Sequence, residues 1–325
     1  MKTFLYHYCN NYAFENIIKK RQLWMTDIVN SNDFNEARLF WPRILQVADE
    51  LYRKEPFEFR LKRERNYDAI QLLLDEAFRR VNISYNSGML TSFVSCFCEI
   101  GDVLSQWRGY AKDGCGCSLG FSLDEMLRYC ESTNGVIKLV KVEYIPSDDL
   151  DDIVYEEAKN ALEKIKELRE DAEQLVTSDI ANESLEDLMS VMFYGYIEKV
   201  MIDSLKYKID AFHEELEWRL IFGDVSKDEK LLFSGSETSG DGKSYDNILK
   251  YDNSAKMLMN RVDFTFKDDN IIPYYPIDLM EISQKPIKEV ILGPKNKSSK
   301  HDVELFLTKY GFNDVCVRYS EISYR

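Results

Sequence analysis

The sequence predicts an α+β fold, mixed or antiparallel in its sheets, and three observations carry that expectation. Runs rich in Val, Ile, Phe, Tyr and Trp recur as strands, but helical patterns fall between them without strand–helix–strand alternation. No Gly-rich dinucleotide fingerprint opens a helix after a strand. Two long helical stretches, at 36–88 and 148–210, read as insertions in a single domain spanning residues 1–325.

The elements follow in order. "TFLYHYC" is a strand, "YAFENIIKKRQ" a helix, and "LWMTDIV" a second strand. Phe14, Ile17 and Ile18 sit at helical spacing, and Lys19, Lys20 and Arg21 suit a helix C-terminus. Asn32 and Asp33 are good capping residues, with Glu36 three beyond Asp33 in the capping-box position. Helical patterns then dominate to residue 82. Leu90–Ile100 is a strand, Val103–Tyr110 a short helix, Asp113–Gly116 a glycine-rich turn, and Cys117–Phe121 a strand. Ser122 caps the helix "SLDEMLRYCE", and "VIKLVKVEYI" is one strand. The acidic stretch 148–210 is helical, with opposite charges three or four residues apart. Strands near "EELEWRLIF", "RVDFTF", "IIPYYPIDL" and "PIKEVILGP" follow, with a polar loop at Ser234–Asn247. A last helix, "HDVELFLTKYGF", leads to a last strand, "DVCVRYSEI".

Of 325 residues, 45% are hydrophobic and 30% charged, as in ordinary globular proteins. No run reaches the roughly 18 apolar residues of a membrane span, and the N-terminus has no signal-peptide pattern. Seven cysteines, an odd number at low density, fit a reducing cytoplasm. The net charge of −15 argues against bulk nucleic acid, whose binding rests on phosphate neutralisation. The locally basic Arg53–Arg65 reads as a solvated helical face or a local nucleic-acid contact.

Four constellations carry chemistry. His7 and Tyr8, in "YHY", offer a ribose hydrogen bond and an aromatic surface, or else a satisfied core histidine. "SQWRGY" places Trp107 and Tyr110 three apart on a helix, with Arg108 as a phosphate fork. Gly114 and Gly116 would let backbone approach a ligand. Two C-x-C pairs, Cys96/Cys98 and Cys115/Cys117, are spaced more tightly than a structural zinc knuckle, so small core residues are the simpler reading and no metal is expected. In "EELEWRLIF", strand alternation puts Glu215, Glu217 and Arg219 on one face and Leu216, Trp218 and Leu220 on the other. Two carboxylates about 7 Å apart can line a wet surface or the floor of a site.

Several of these motifs together resemble a bacterial family, domain-of-unknown-function family 2971. They are "LYHYC", the N-D-x-x-E of Asn32, Asp33 and Glu36, "CFCEIGDVLSQWRGYAKDGCGCSLGF", "EELEWRLIF", "IIPYYPIDL", "IKEVILGP" and the terminal "SEISYR". Their order is in turn similar to that of the ADP-ribosyltransferase fold, in which split sheets open around NAD. That resemblance implies NAD as substrate, His7 as ribose binder, Tyr110 as the aromatic against nicotinamide, and Glu217 as catalytic residue with Glu215 as partner. Tyr8, Trp107, Arg108 and Arg219 would complete the nucleotide site. It implies an effector or anti-phage defence enzyme. Two other readings stand beside it. One is a non-catalytic sensor of a nucleotide-like ligand, with 148–210 binding a protein partner. The other is a phosphodiester hydrolase using Asp33, Glu36, Glu215 and Glu217 around a divalent metal.

Overall fold

A computed structural model describes residues 3–27, 40–54, 93–175, 204–222, 261–267 and 270–324. Asn32, Asp33 and Glu36, the helical readings over 55–88 and 176–203, the start of the strand read at Leu90–Ile100, and the loop Ser234–Asn247 lie outside them. The elements in chain order are β1 (Phe4–Cys9), α1 (Asn11–Lys20), β2 (Gln22–Asp27), α2 (Trp41–Lys54), β3 (Phe93–Cys98), α3 (Leu104–Tyr110) and β4 (Cys117–Ser122). Next come α4 (Leu123–Ser132), β5 (Ile137–Lys141), β6 (Glu143–Ile145), α5 (Leu150–Leu175), β7 (Tyr207–Ile209) and β8 (Glu217–Phe222). β9 (Asp263–Lys267), β10 (Asn270–Asp278), α6 (Leu279–Ile282), β11 (Ile287–Leu292), α7 (Lys300–Lys309) and β12 (Cys316–Tyr319) complete the fold. The fold is α+β, as expected. The chain divides into two compact units, one of Met1–Asn30, Ser92–Glu143 and Ala211–Arg325, the other of Ser31–Thr91 and Tyr144–Asp210.

The first unit is built on one large sheet in the order β12–β11–β4–β1–β3–β2–β10–β9, with β8 against β3 and β5 beyond β8. Among the described strands of this sheet only β11 and β12 pair in parallel; its other ladders are antiparallel. The sheet forks at β3. β8 pairs along the whole of β3, from Phe93–Phe222 to Cys98–Glu217. The opposite edge of β3 is shared. β1 meets it at Tyr6–Cys98, and β2 meets it at Thr26–Val94 and Asp27–Phe93. β1 and β2 therefore diverge from a common strand.

α1 forms between them because Asn10 caps it, accepting from the Ala13 N–H at 2.8 Å, while Phe14, Ile17 and Ile18 bury one stripe. It stops at Lys20, earlier than the sequence pattern implied. Arg21 adopts a left-handed conformation (φ 54°) and its guanidinium donates to the Tyr310 carbonyl. One face of the sheet carries the main core, with Leu5, Phe93, Phe97, Leu119, Phe121, Leu220, Tyr275 and Ile277 packed with α1, α4 and α7. Each such side chain contributes about 1.5–3 kcal/mol of hydrophobic stabilisation. The expected single strand over 136–145 is two. β5 and β6 break at Val142, whose N–H donates to the Glu217 carbonyl at 2.9 Å.

In the second unit, α2 and α5 pack together through stripes at helical spacing. Ile44, Leu45, Ala48 and Tyr52 are buried on α2, and Val154, Ala158, Ala161 and Ile165 on α5. Arg43 pairs with Asp151 between them, and β6 and β7 form a small separate ladder.

Candidate functional site

Directly paired residues of an antiparallel ladder share a face. The pairs Cys98–Glu217, Cys96–Arg219 and Val94–Ile221 place Glu217 and Arg219 on the face of Cys96 and Cys98. The pair Tyr6–Cys98 adds Tyr6 and, by alternation, Tyr8. Thr26–Val94 and Tyr274–Thr26 add Tyr274, and Trp24 follows by alternation. This is the face opposite the main core.

Glu217 and Arg219 are 5% and 1% exposed. Arg219 grips Glu217 with a fork: Nε donates to Oε1 at 2.8 Å and Nη2 to Oε2 at 2.9 Å. Such bidentate contacts fix the orientation of a carboxylate and favour its charged form. The neighbour at the same level on β3 is Cys96, which is exposed, although the other five residues of that strand are buried. Exposure in the middle of a central strand marks an opening onto the sheet, with the buried ion pair beside it.

One side of this face is roofed by α3. Trp107 is fully buried, lies edge-on to Tyr8 at 4.8 Å, and donates through Nε1 to Asp102 Oδ1 at 2.7 Å. The Tyr8 hydroxyl donates to the Ile100 carbonyl and accepts from the Val103 N–H. Burial pushes its pKa far above the ordinary range. Asp102 also accepts from Ser320 Oγ and the Glu321 N–H, and Asp113 accepts from Lys295 and the Tyr324 hydroxyl. The terminal "SEISY" thus holds both ends of the "SQWRGY" segment. Tyr8 and Trp107 are consequently anchors, not surfaces for a ligand. Arg108 is exposed on the outer side of α3, near Asp113.

Tyr110 is the member of the motif that reaches the site's rim. Its hydroxyl donates to Glu215 Oε1 at 3.0 Å. Glu215 is not on the strand as the alternation predicted. It ends a 3-10 turn (Asp210–Glu215), and Leu216 follows with φ 43°. A left-handed residue reverses the expected alternation, so Leu216 packs against the Tyr8, Cys98 and Trp107 cluster while Trp218 faces the main core. The row of Glu215, Glu217 and Arg219 is therefore a buried pair plus a separately held carboxylate.

His7 does not join them. It alternates with Tyr6 and Tyr8, its ring lies 5.7 Å from Phe97, and its Nδ1 donates to the Cys96 carbonyl at 3.0 Å. It fills the fork between β1 and β3 from the main-core side, where burial lowers its pKa below 6.5. The glycines also serve packing. A Cβ on Gly116 would lie 2.1 Å from the Cys9 carbonyl oxygen, and Gly114 (φ +83°) makes a turn against Pro294. Cys98 lies on the Trp107 face and Cys117 in the main core, so the C-x-C pairs do not converge, and burial pushes these thiols up to about 11 and about 12. Among the described residues no group of three or more His, Cys, Asp or Glu is arranged to hold a metal.

Sequence reasoning missed Trp24. It stacks on Tyr274 at 4.0 Å and 22°, with Lys20 Nζ 4.9 Å above its ring. Alternation in "LWMTD" was the available signal, since it sets Trp24 and Thr26 against Leu23 and Met25. Asp102 was missed as well, because its partners in the tail, Ser320 and Glu321, are more than 200 residues away in the chain.

Fold and face together define an α+β protein with a forked sheet and a carboxylate–guanidinium pair under an opening. Residues 106–220 match the family profile described as protein of unknown function (DUF2971), the family that the sequence motifs resemble. The match takes in Tyr110, Glu215, Glu217 and Arg219. No curated protein and no solved structure matches the chain. Among the described residues no helix is long and apolar enough to cross a membrane.

Proposed function

We propose that the face between Trp24 and Tyr110 binds a nucleotide-type ligand and that the chain transfers ADP-ribose from NAD. The bond from nicotinamide nitrogen to the ribose C1′ breaks, and nicotinamide leaves with the electron pair. An acceptor nucleophile then bonds to C1′ and releases its proton. Glu217 opposes the positive charge that develops on the ribose, and Arg219 holds it ionised and oriented. Glu215, set by Tyr110, supports it from the rim. The supporting observation is exposed Cys96 beside the buried Glu217–Arg219 pair. The ribose-binding part that the resemblance assigned to His7 is left out, because His7 faces the main core. In this reading the chain is a cytoplasmic effector or defence enzyme.

A second reading is a non-catalytic nucleotide sensor, with acidic α5 as the surface for a protein partner. It is favoured by the fork itself, since both oxygens of Glu217 already accept from Arg219. One experiment separates the two. The chain is incubated with labelled NAD while nicotinamide release and alkylation of Cys96 are followed, with exposed Cys316 as internal control. Release that Glu217→Gln abolishes supports transfer. Protection of Cys96 without release supports the sensor. Equal alkylation of both thiols at saturating NAD removes NAD as the ligand.

A further inference from the structure

Among the described residues, β9 has a strand neighbour on one side only, β10. Phe264 and Phe266 on β9, with Ile271 of β10, are 58%, 77% and 61% exposed. They form one strip, because Phe266 pairs with Ile271 and Phe264 with Pro273. The strip lies on the face of the fully buried Tyr275 and Ile277, so it continues the main-core face of the sheet. Large apolar side chains exposed together on an edge strand are uncommon in monomers and mark interaction surfaces.

The backbone shows which peptide groups a partner would meet. Pro273 has no N–H, so its pair with Phe264 cannot exchange two hydrogen bonds and is of the non-bonded kind. Bonded and non-bonded pairs alternate, so the peptide groups of Phe264 and Phe266 point away from β10. The Phe264 N–H is taken by its neighbour's carboxylate, Asp263 Oδ1, at 2.8 Å, a local contact that a second strand can replace.

We infer that β9 pairs antiparallel with β9 of a second copy of this chain, about a two-fold axis at Thr265. In this register Phe264 of one copy exchanges both hydrogen bonds with Phe266 of the other. The two aromatic strips then join into one apolar surface on the same face of a continuous sheet. The sequence positions at the strand ends are complementary too, since aspartate 263 falls opposite lysine 267. A two-fold interface of this kind requires self-complementarity, and a five-residue strand reading Asp-Phe-Thr-Phe-Lys has it.

The test uses the full chain. Light scattering after size exclusion should give a dimer mass for the wild type and a monomer mass for Phe266→Lys. That change is at an exposed position and should leave far-UV circular dichroism unchanged. In a Thr265→Cys variant the two new thiols face each other across a non-bonded pair, where Cα atoms about 4.5 Å apart fall within disulfide range. Oxidation should convert this variant, and not the wild type, to a covalent dimer on a non-reducing gel. A wild-type monomer at every concentration overturns the inference. So does a dimer that survives Phe266→Lys and is not cross-linked through residue 265.

Discussion

Removing Arg219 should damage the fold more than any other single change on the open face. In Arg219→Leu, the Glu217 carboxyl stays at 5% exposure and loses both bonds of the fork, 2.8 and 2.9 Å long. Breaking a buried pair from one side costs about 3–5 kcal/mol, because the remaining charge is left in a poorly solvating site. At an m-value of about 2–3 kcal/mol/M, that is a drop of roughly 1–2.5 M in the urea midpoint. Removing both partners with apolar residues of similar volume, as in Glu217→Met with Arg219→Leu, should restore most of the loss. Urea titrations followed by tryptophan fluorescence would measure all four corners of the cycle, with Trp218 as a reporter one residue from each partner. A single mutant within about 0.5 kcal/mol of the wild type, the range of ordinary surface changes, would refute the buried-pair reasoning. So would a double mutant no better than the single.

Three further outcomes follow from other contacts. Asp102→Asn weakens the charge-assisted bonds from Trp107, Ser320 and Glu321, each worth about 1.5–3 kcal/mol; amide exchange over 320–324 should accelerate, and unchanged protection would count against the clamp. His7 is held neutral, with a folded pKa below 6.5, so below that pH the unfolded chain binds the extra proton. Stability should therefore fall as pH drops from 7 to 5, and His7→Asn should flatten that slope in thermal melts. Gly116→Ala would drive a methyl to 2.1 Å from the Cys9 carbonyl oxygen, a backbone atom that cannot rotate away; a loss of about 1–3 kcal/mol is expected, and a variant that melts with the wild type would show that β1 and β4 can part there.

Legibility in the sequence tracked the range of each interaction. Elements with a strong local signal were read to within a residue or two: α1 from Phe14, Ile17 and Ile18, α3 from "SQWRGY", and β8 from its alternation. The pairing of Glu217 with Arg219 on one face was also legible, because it needs only the period of two. What could not be read was which face is open. His7 and Tyr8 are adjacent, yet one points to the main core and the other beneath Trp107, and that follows from how β1 meets β3. Asp102, Asp113 and Glu289 hold the C-terminal strands and tail through side chains far away in sequence. Such contacts leave no periodic trace.

Leu216 is where local reading failed most informatively. A strictly alternating strand would set Glu215 beside Glu217 on the floor, about 7 Å along, and turn Leu216 to the main core. The left-handed φ of 43° instead inserts Leu216 into the Trp107 cluster and sends Glu215 to the rim, where Tyr110 receives it. The neighbours hold it there, since the Leu216 carbonyl accepts from the Glu99 N–H at 3.1 Å and Trp218 Nε1 donates to Glu99 Oε1 at 2.8 Å. A bulky residue in this region carries about 1–2 kcal/mol of steric strain. Leu216→Gly would relieve the strain and lose partly buried apolar contact worth a similar amount, about 1–2 kcal/mol. Its urea midpoint should therefore stay near that of the wild type. Leu216→Val keeps an apolar side chain but adds a β-branch where φ is positive, so it should be the less stable of the two. If glycine proves more damaging than valine, packing and not backbone conformation governs this position, and the separation of the two carboxylates needs another cause.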